Sequence, residues 1–347
     1  MNTTTPEYDY GFYTGEYDEK PVRPCPRDGD NYLGAQLSCL YFLMTLLSLF
    51  GNGLVLAIIY RFEKLTTVTN IFLLNLVVSD LIFMCSLPFW GIYQQLSNWI
   101  FGTIACKIVG STYYLGFYSS VLFLALLTFD RHLAVVYSLA APRLRRRSYA
   151  VASCAGVWLV SSLACIKPMI LYTSYTAYNG KVFCEEYPGN TSNNIINAPL
   201  LKAAGMYLQL FLFFLFPLAV IVYCYIRITI TVISSRMVTK FKTVRLIFVI
   251  VLLFFVCWTP YNIVLLMHDK ASTCEQIQKV GNALQVTRNV AYLYFCISPI
   301  FYTFVGRKFQ NHFRLLLVKR FPCLKKHVAV SQTSRTNLST KSTPNEI

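Results

Sequence analysis

Seven long stretches of the chain contain no Asp, Glu, Lys or Arg, and this feature constrains the fold more than any other. The stretches are 31–60, 81–106, 108–129, 148–166, 203–226, 246–267 and 289–306. Each supplies most of the roughly 20 residues that a helix needs to cross the hydrocarbon core of a bilayer. The second span is predicted to begin near Val68, because Asp80 is its only charged residue. The pattern predicts an all-α membrane protein built as a seven-transmembrane helix bundle.

Two other fold classes fit the sequence poorly. Soluble chains average about 25% charged residues, whereas this chain has 13% charged and 55% hydrophobic residues. A soluble fold could not bury that much apolar surface. A membrane β-barrel would alternate apolar and polar residues along each strand, and the uncharged stretches do not alternate.

The distribution of positive charge predicts the orientation in the membrane. If residues 1–32 lie outside the cell, most of the 31 Lys and Arg residues fall in the inner segments 61–67, 131–147, 227–245 and 306–347. Cytoplasmic loops carry such an excess of Lys and Arg. We therefore expect a plasma-membrane protein with an extracellular amino terminus. The net charge of +16 then faces anionic membrane lipids rather than nucleic acid.

Composition divides the chain into four regions. Residues 1–32 form an acidic, Tyr-rich extracellular tail, and residues 33–305 form the transmembrane bundle. Residues 306–322 are predicted to form a short amphipathic eighth helix along the inner membrane surface. Residues 323–347 form a Ser- and Thr-rich cytoplasmic tail that can be phosphorylated, and Cys323 is a candidate for palmitoylation.

Cysteines and glycosylation motifs on the outer side suggest covalent modification there. Disulfides persist on the oxidising side of the membrane, and four of the 12 cysteines map to it: Cys25, Cys106, Cys184 and Cys274. Four cysteines allow three pairings. Asn2 and Asn190 begin outer-side glycosylation motifs.

One acidic residue lies in the middle of a predicted span. Asp80 is expected at a depth similar to that of Asn52, Ser120 and Ser298. An ionisable residue inside the membrane is by default a functional hypothesis. One carboxylate with hydroxyl and amide oxygens suits a hard cation, so a sodium site is predicted. The alternative is a hydrogen-bonded packing residue, and no other cofactor is expected.

The inner end of the third span carries the sequence Asp130-Arg131-His132. Arg131 keeps its charge and is predicted to pair with Asp130 at rest, then to reach Tyr225 and Tyr302 if the later helices move. An arginine that snorkels to the interface is the alternative. Prolines are predicted to bend five spans, at Pro88, Pro168, Pro217, Pro260 and Pro299.

Ordered motifs along essentially the whole chain resemble those of rhodopsin-like G-protein-coupled receptors. They are Gly51-Asn52, Leu76 to Asp80, Asp130-Arg131-His132, Trp158, Pro217, Cys257-Trp258-Thr259-Pro260 and Ser298-Pro299-Ile300-Phe301-Tyr302. Within that class the chain resembles the chemokine receptors, through the acidic Tyr-rich tail, Ser86-Leu87-Pro88-Phe89-Trp90, Pro260-Tyr261-Asn262 and the pair Cys25 and Cys274. The Arg288-Asn289 pair and the run from Val244 to Phe248 are similar to the XC chemokine receptor.

This resemblance implies a set of functional residues. It implies disulfides between Cys25 and Cys274 and between Cys106 and Cys184. Ligand contacts are expected from sulfated tail tyrosines and from a pocket in the bundle, at Tyr8, Tyr10, Tyr13, Tyr17, Tyr41, Trp90, Tyr113, Phe117, Tyr261 and Arg288. The conformational switch is expected at Asp130, Arg131, Tyr225, Trp258 and Tyr302.

Three positions depart from the family pattern. Arg288 stands where most chemokine receptors carry Glu, which favours an acidic or backbone-carbonyl contact from the ligand. His132 and Ser298 replace the Tyr and Asn that are usual in the family, and both replacements bear on the strength of G-protein coupling. Arg131 and Tyr302 remain in place.

The resemblance also implies a function. The protein is expected to bind a basic chemokine and activate a heterotrimeric G protein of the inhibitory class, which drives chemotaxis and calcium signalling. Arrestin, receptor kinases and a second receptor molecule, in a homodimer or a heterodimer, are further expected partners. The alternatives are a scavenger that internalises chemokine through arrestin and a transporter, although inverted repeats and paired midplane charges are not evident. An enzyme is not expected, because no metal-ligand cluster or nucleophile with a base is evident.

Overall fold

The computed structural model describes residues 32–62, 67–177, 180–186, 198–235, 238–271, 273–305 and 307–320. Side chains at several helix positions, including 235–247 and 300–309, are outside the description. The described chain is almost entirely helical, as the uncharged stretches predict.

Helices follow one another along the chain, with one β-hairpin. The helices are α1 (Tyr32–Phe62), α2 (Val68–Leu96), α3 (Gly102–Val136), α4 (Ala141–Leu144), α5 (Arg147–Ala164), α6 (Ile166–Leu171), α7 (Ala198–Leu210), α8 (Phe216–Ser235), α9 (Val238–Asp269), α10 (Cys274–Val305) and α11 (Arg307–Arg320). A π-helical turn, Phe211–Leu215, joins α7 to α8. The antiparallel hairpin pairs β1 (Tyr172–Thr176) with β2 (Val182–Glu186).

Six helical segments of the described chain are long and apolar enough to cross a membrane. They are Leu33–Phe62, Val68–Leu96, Gly102–Val136, Arg147–Leu171, Leu200–Ser234 and Phe248–Asp269. Helix α10 has a comparable length and packs along α9 and α1, but it carries Glu275, Lys279 and Arg288. It is therefore more polar than the other six, and length and composition support six of the seven predicted spans.

Large apolar side chains cover the outside of the helices. Phe50, Tyr60 and Ile233 are among the exposed ones, and Phe50 is 74% exposed. So many exposed large apolar side chains are unusual on a soluble monomer. It matches a helix bundle whose outer face contacts lipid.

Proline positions coincide with irregularities in the helices. Pro88, Pro260 and Pro299 lie inside α2, α9 and α10. Pro168 lies in α6, directly beyond the break at Cys165, and Pro217 follows the π-helical turn. Proline removes a backbone donor, and π turns mark places where the regular hydrogen-bond ladder is interrupted. These interruptions give the spans places at which they can bend.

The hairpin is fastened to the start of α3. A disulfide joins Cys106 of α3 to Cys184 of β2. The backbone of Trp99 donates a 2.8 Å hydrogen bond to the carbonyl of Val182, whose own amide donates to the side-chain oxygen of Asn98 at 2.7 Å. The hairpin therefore has a defined position over one end of the bundle.

Candidate functional site

Four tyrosines lie near Arg288 at the hairpin end of the bundle, and we call this group the tyrosine cage. Tyr41, Tyr113, Tyr261 and Tyr292 come from α1, α3, α9 and α10, and each interacts electrostatically with the guanidinium. The Nε of Arg288 is buried and has no hydrogen-bond partner among the described residues. A buried donor without a partner is costly. The cage therefore presents a cation with an unfilled hydrogen-bonding position.

A partly exposed ion pair contributes the opposite charge. Glu186 of β2 accepts a hydrogen bond from Lys167 of α6 and a 3.4 Å bond from the hydroxyl of Tyr114. Both members of the ion pair are only 13% exposed. Tyr261 interacts electrostatically with both Arg288 and Glu186. Among the described residues, this pocket therefore contains a cation without a close anionic partner and an anion that is already paired.

Trp90 connects this pocket to the hairpin. Its ring centroid lies 6.0 Å from that of Tyr172 and 5.8 Å from that of Trp99, and its buried Nε1 has no hydrogen-bond partner among the described residues. Burial, followed by the negative charge of Glu186, raises the pKa of Tyr172 far above its usual value. Tyr172 therefore remains a neutral phenol at physiological pH.

Phe117 and Trp258 lie in the core. Their rings stack with centroids 4.1 Å apart, and each side chain is about 1% exposed. Tyr261 meets Trp258 edge-on at 5.7 Å. Phe117, predicted from the sequence as a pocket residue, therefore contacts the pocket wall through Trp258.

Asp80 is completely buried between three helices. Ser120 of α3 donates to its Oδ1 at 2.7 Å, and Ser298 of α10 donates to its Oδ2 at 3.2 Å. Asn52 is buried as well, but its amide donates to Ser48 at 2.9 Å and to the carbonyl of Phe295 at 3.2 Å. The structure therefore brings two of the three predicted partners directly to Asp80.

The opposite end of α3 carries a cluster of charged residues. Asp130 is fully buried, and Arg131 approaches its Oδ2 at 3.4 Å. Arg145, between α4 and α5, donates to both carboxylate oxygens at 2.6 and 2.9 Å. Thr69 of α2 donates to Oδ2 at 2.9 Å. The predicted pair of Asp130 and Arg131 is present, but Arg145 is the closer partner.

His132 and Tyr225 lie next to this cluster. His132 is buried among the rings of Phe129, Tyr137 and Tyr223, at 5.6 to 5.9 Å. Tyr225 of α8 meets the ring of Phe248 at 5.0 Å and interacts electrostatically with Arg131. Tyr225 therefore lies near the cluster, and its contact with Arg131 after a movement of the helices stays a prediction.

Comparison with known proteins identifies the family. The model of the 7 transmembrane receptor (rhodopsin family) matches residues 51–302. C-C chemokine receptor type 1 of Homo sapiens is 37% identical over 91% of this chain and 88% of its own length. C-C chemokine receptor type 3 of Cavia porcellus is 35% identical over 87% and 84%, and C-C chemokine receptor type 4 of Homo sapiens is 32% identical over 90% and 85%. The chain belongs to the chemokine receptors of the rhodopsin family.

As a chemokine receptor, the protein is a multi-pass membrane receptor and not an enzyme. The family assignment confirms the resemblance seen in the motifs. Chemokines and G proteins are the partners that this family implies. The disulfide between Cys106 and Cys184 agrees with the pairing that the resemblance implied.

Several predicted positions lie outside the description. They are Asn2, Tyr8, Tyr10, Tyr13, Tyr17, Cys25, Asn190, Cys323 and the side chain of Tyr302. Cys274 is a disulfide-bonded cysteine, and its predicted partner is Cys25. The second predicted disulfide therefore stays a prediction.

Sequence reasoning missed four residues that contribute to the receptor's polar sites. Tyr292 completes the tyrosine cage, Glu186 supplies the pocket's anion, and Thr69 and Arg145 bind Asp130. Arg145 lies in a basic run, which by itself indicates only the inner side of the membrane. The sequence signal that could have linked Arg145 to Asp130 is weak: the basic run lies shortly after the third span.

Proposed function

We propose that this receptor binds a basic extracellular chemokine and activates a heterotrimeric G protein of the inhibitory class, which drives chemotaxis and calcium signalling. The observation that carries the proposal is the arrangement along α3. Tyr113 belongs to the tyrosine cage near one end, Phe117 stacks on Trp258 deeper in the bundle, and Asp130 with Arg131 lies at the other end. One continuous helix, Gly102–Val136, thus connects an outer pocket with an inner charged cluster.

Ligand capture would occur in two steps. The extracellular acidic tail, with sulfate on its tyrosines, would attract a basic protein and raise its rate of encounter. The flexible end of the chemokine would then enter the tyrosine cage. The unfilled position at Nε of Arg288 supports a contact with a carbonyl or carboxylate oxygen of that inserted end.

Coupling would follow from movement of the later helices. Ligand binding would favour a state in which the inner part of α9 swings outward about Pro260. Arg131 would leave Asp130 and reach Tyr225 and Tyr302. The proximity of Tyr225 to Arg131 supports the first of these contacts.

Asp80 would hold a sodium ion in the resting receptor. The carboxylate, the two serine hydroxyls and the buried Oδ1 of Asn52, which has no hydrogen-bond partner among the described residues, are the oxygen ligands that a hard cation prefers. Among the described residues, the two serines hydrogen-bond to this buried carboxylate, and the ion would supply a positive charge. Each serine hydroxyl donates its hydrogen to Asp80, so its oxygen lone pairs would remain available to the ion.

The remaining parts of the chain would serve topology and regulation. Helix α10 would be the seventh span, with its polar residues facing the pocket. Helix α11 would lie along the inner membrane surface, and the stacking of His312 on Phe62 at 4.9 Å supports a position against the end of α1. Receptor kinases and arrestin would act on the cytoplasmic tail.

Ligand-dependent GTP exchange tests the proposal. The receptor is reconstituted in lipid vesicles with inhibitory-class G protein and exposed to a panel of CC and XC chemokines. We expect at least one chemokine to stimulate exchange and Arg131→Ala to abolish that stimulation. No stimulation by any member would refute the proposed function. Chemokine uptake that persists in Arg131→Ala, without exchange in the parent, would instead indicate a scavenger that works through arrestin.

A further inference from the structure

Two arginines approach the carboxylate of Asp130, and the one more distant in sequence binds it more closely. Arg145 donates from Nε to Oδ1 at 2.6 Å and from Nη2 to Oδ2 at 2.9 Å. This is the two-pronged geometry that makes arginine–carboxylate pairs strong. Arg131 lies 3.4 Å from Oδ2. Arg145 is therefore the main partner of Asp130.

Thr69 occupies one of the hydrogen-bond acceptor positions that Arg145 leaves on the Asp130 carboxylate. Its hydroxyl donates to Oδ2 of Asp130 at 2.9 Å and accepts hydrogen bonds from Arg131 and, at 3.2 Å, from Arg145. A carboxylate offers about four acceptor positions, and Arg145 and Thr69 together use three. Arg131 is therefore held in part through Thr69 and only weakly by Asp130.

Arg145 differs from its basic neighbours in position. It ends helix α4, where its backbone amide donates to the carbonyl of Ala141 at 2.8 Å, and its side chain is 24% exposed. Arg143, Arg146 and Arg147 are all exposed. The segment after α3 thus directs one arginine of its basic run inward, onto a carboxylate that is completely buried.

We propose that Arg145 competes with Arg131 for Asp130 and thereby sets how easily Arg131 is released. Arg145 is a positioning residue that acts through Asp130. The proposal rests on the G-protein activation proposed above. Any event that draws Arg145 away from the bundle would give both carboxylate oxygens to Arg131 and hold the receptor at rest.

If Arg145 were a lock that holds the receptor at rest, its removal would raise GTP exchange. The proposed competition with Arg131 predicts that its removal lowers GTP exchange. Arg145→Ala should lower basal and chemokine-stimulated GTP exchange by about 3- to 10-fold, within the range expected when contacting charged residues are coupled. Arg145→Lys should fall between this variant and the parent, because an ammonium group cannot bind both oxygens as a fork. Arg146→Ala, the exposed neighbour, should leave exchange unchanged.

Three results in this assay would overturn the proposal. Higher exchange in Arg145→Ala would make Arg145 a lock. Equal losses in Arg145→Ala and Arg146→Ala would assign the effect to surface charge. In the Asp130→Asn receptor, Arg145→Ala should have no further effect, because the carboxylate is gone. The same loss in that background would place Arg145 in direct contact with the G protein.

A second measurement does not depend on G-protein activation. When Arg145 is absent, Arg131 should bind Asp130 more tightly. Arg131→Ala should then lower the apparent melting temperature of the purified receptor more in the Arg145→Ala background than in the parent. Equal shifts in the two backgrounds would overturn the competition, whereas an exchange assay without any response in the parent would refute only the proposed function.

Discussion

Gly116 marks the closest approach of α3 to α2, and replacing it with alanine tests how the two helices pack. An added Cβ would lie 2.5 Å from the backbone nitrogen of Phe83 and 2.7 Å from its Cα and Cβ. These atoms belong to the other helix and cannot rotate away. One helix would have to shift against the other for the methyl group to fit.

The expected magnitude follows from two opposing effects. Overpacking costs about 1–3 kcal/mol, and the contact with backbone atoms at Gly116 places the variant near the upper value. Alanine improves helix propensity by up to about 1 kcal/mol over glycine. Gly116→Ala should therefore lose about 2 kcal/mol. Gly156→Ala is the matched control, because its added Cβ has no described atom within 4 Å beyond its chain neighbours and local helix backbone, and only the propensity gain remains.

Thermal unfolding of the purified receptor at a fixed scan rate measures this difference. At about 2 °C per kcal/mol for a long chain, the melting temperature should fall by about 4 °C in Gly116→Ala and should not fall in Gly156→Ala. The reasoning fails if Gly116→Ala melts at or above the parent temperature, or if both variants lose stability equally.

Two further predictions concern buried polar and covalent contacts. Ser120→Ala should lower the free energy of unfolding by about 1–2 kcal/mol. Ser298→Ala should lower it less, because Ser120 makes the shorter of the two hydrogen bonds to Asp80. Equal melting temperatures of the two variants would contradict this ranking. Removing the disulfide by Cys106→Ser should cost about 4.5 kcal/mol, the loop entropy of the 78-residue separation from Cys184. Surface expression measured by antibody binding should fall sharply, and Cys184→Ser should give the same loss; normal expression of either variant would refute the estimate.

The membrane helices were predictable because few backbone conformations are stable inside a lipid bilayer. Backbone groups in the hydrocarbon region must be satisfied internally, and an uncharged stretch of membrane length then has to be a helix. The predicted first span matches α1 closely, and α2 begins at the predicted Val68, but the uncharged stretch 81–106 continues past the end of α2 at Leu96 into α3. The π-helical turn Phe211–Leu215 was not predicted, because periodicity does not reveal a single extra residue in a turn.

The chemokine receptor family was also evident from the sequence, because its motifs combine unusual residues in a fixed order. Asp80, Arg131 and the prolines are costly or disruptive inside a membrane, so their positions carry information without any coordinates. Arg288 was visible in the same way. Its surroundings were not, since Tyr292 looks like any other aromatic residue of an apolar helix.

Only the tertiary structure decided which polar groups meet. Ser298 reaches Asp80 across 218 positions of sequence, while the amide of Asn52 donates to the carbonyl of Phe295. Among several arginines after α3, one binds Asp130. Such pairings depend on helix rotation and on distances of a few tenths of an ångström, which composition and spacing do not encode. The sequence therefore determined the membrane, the helices and the family, and the packing of the helices determined the partners of each buried charge.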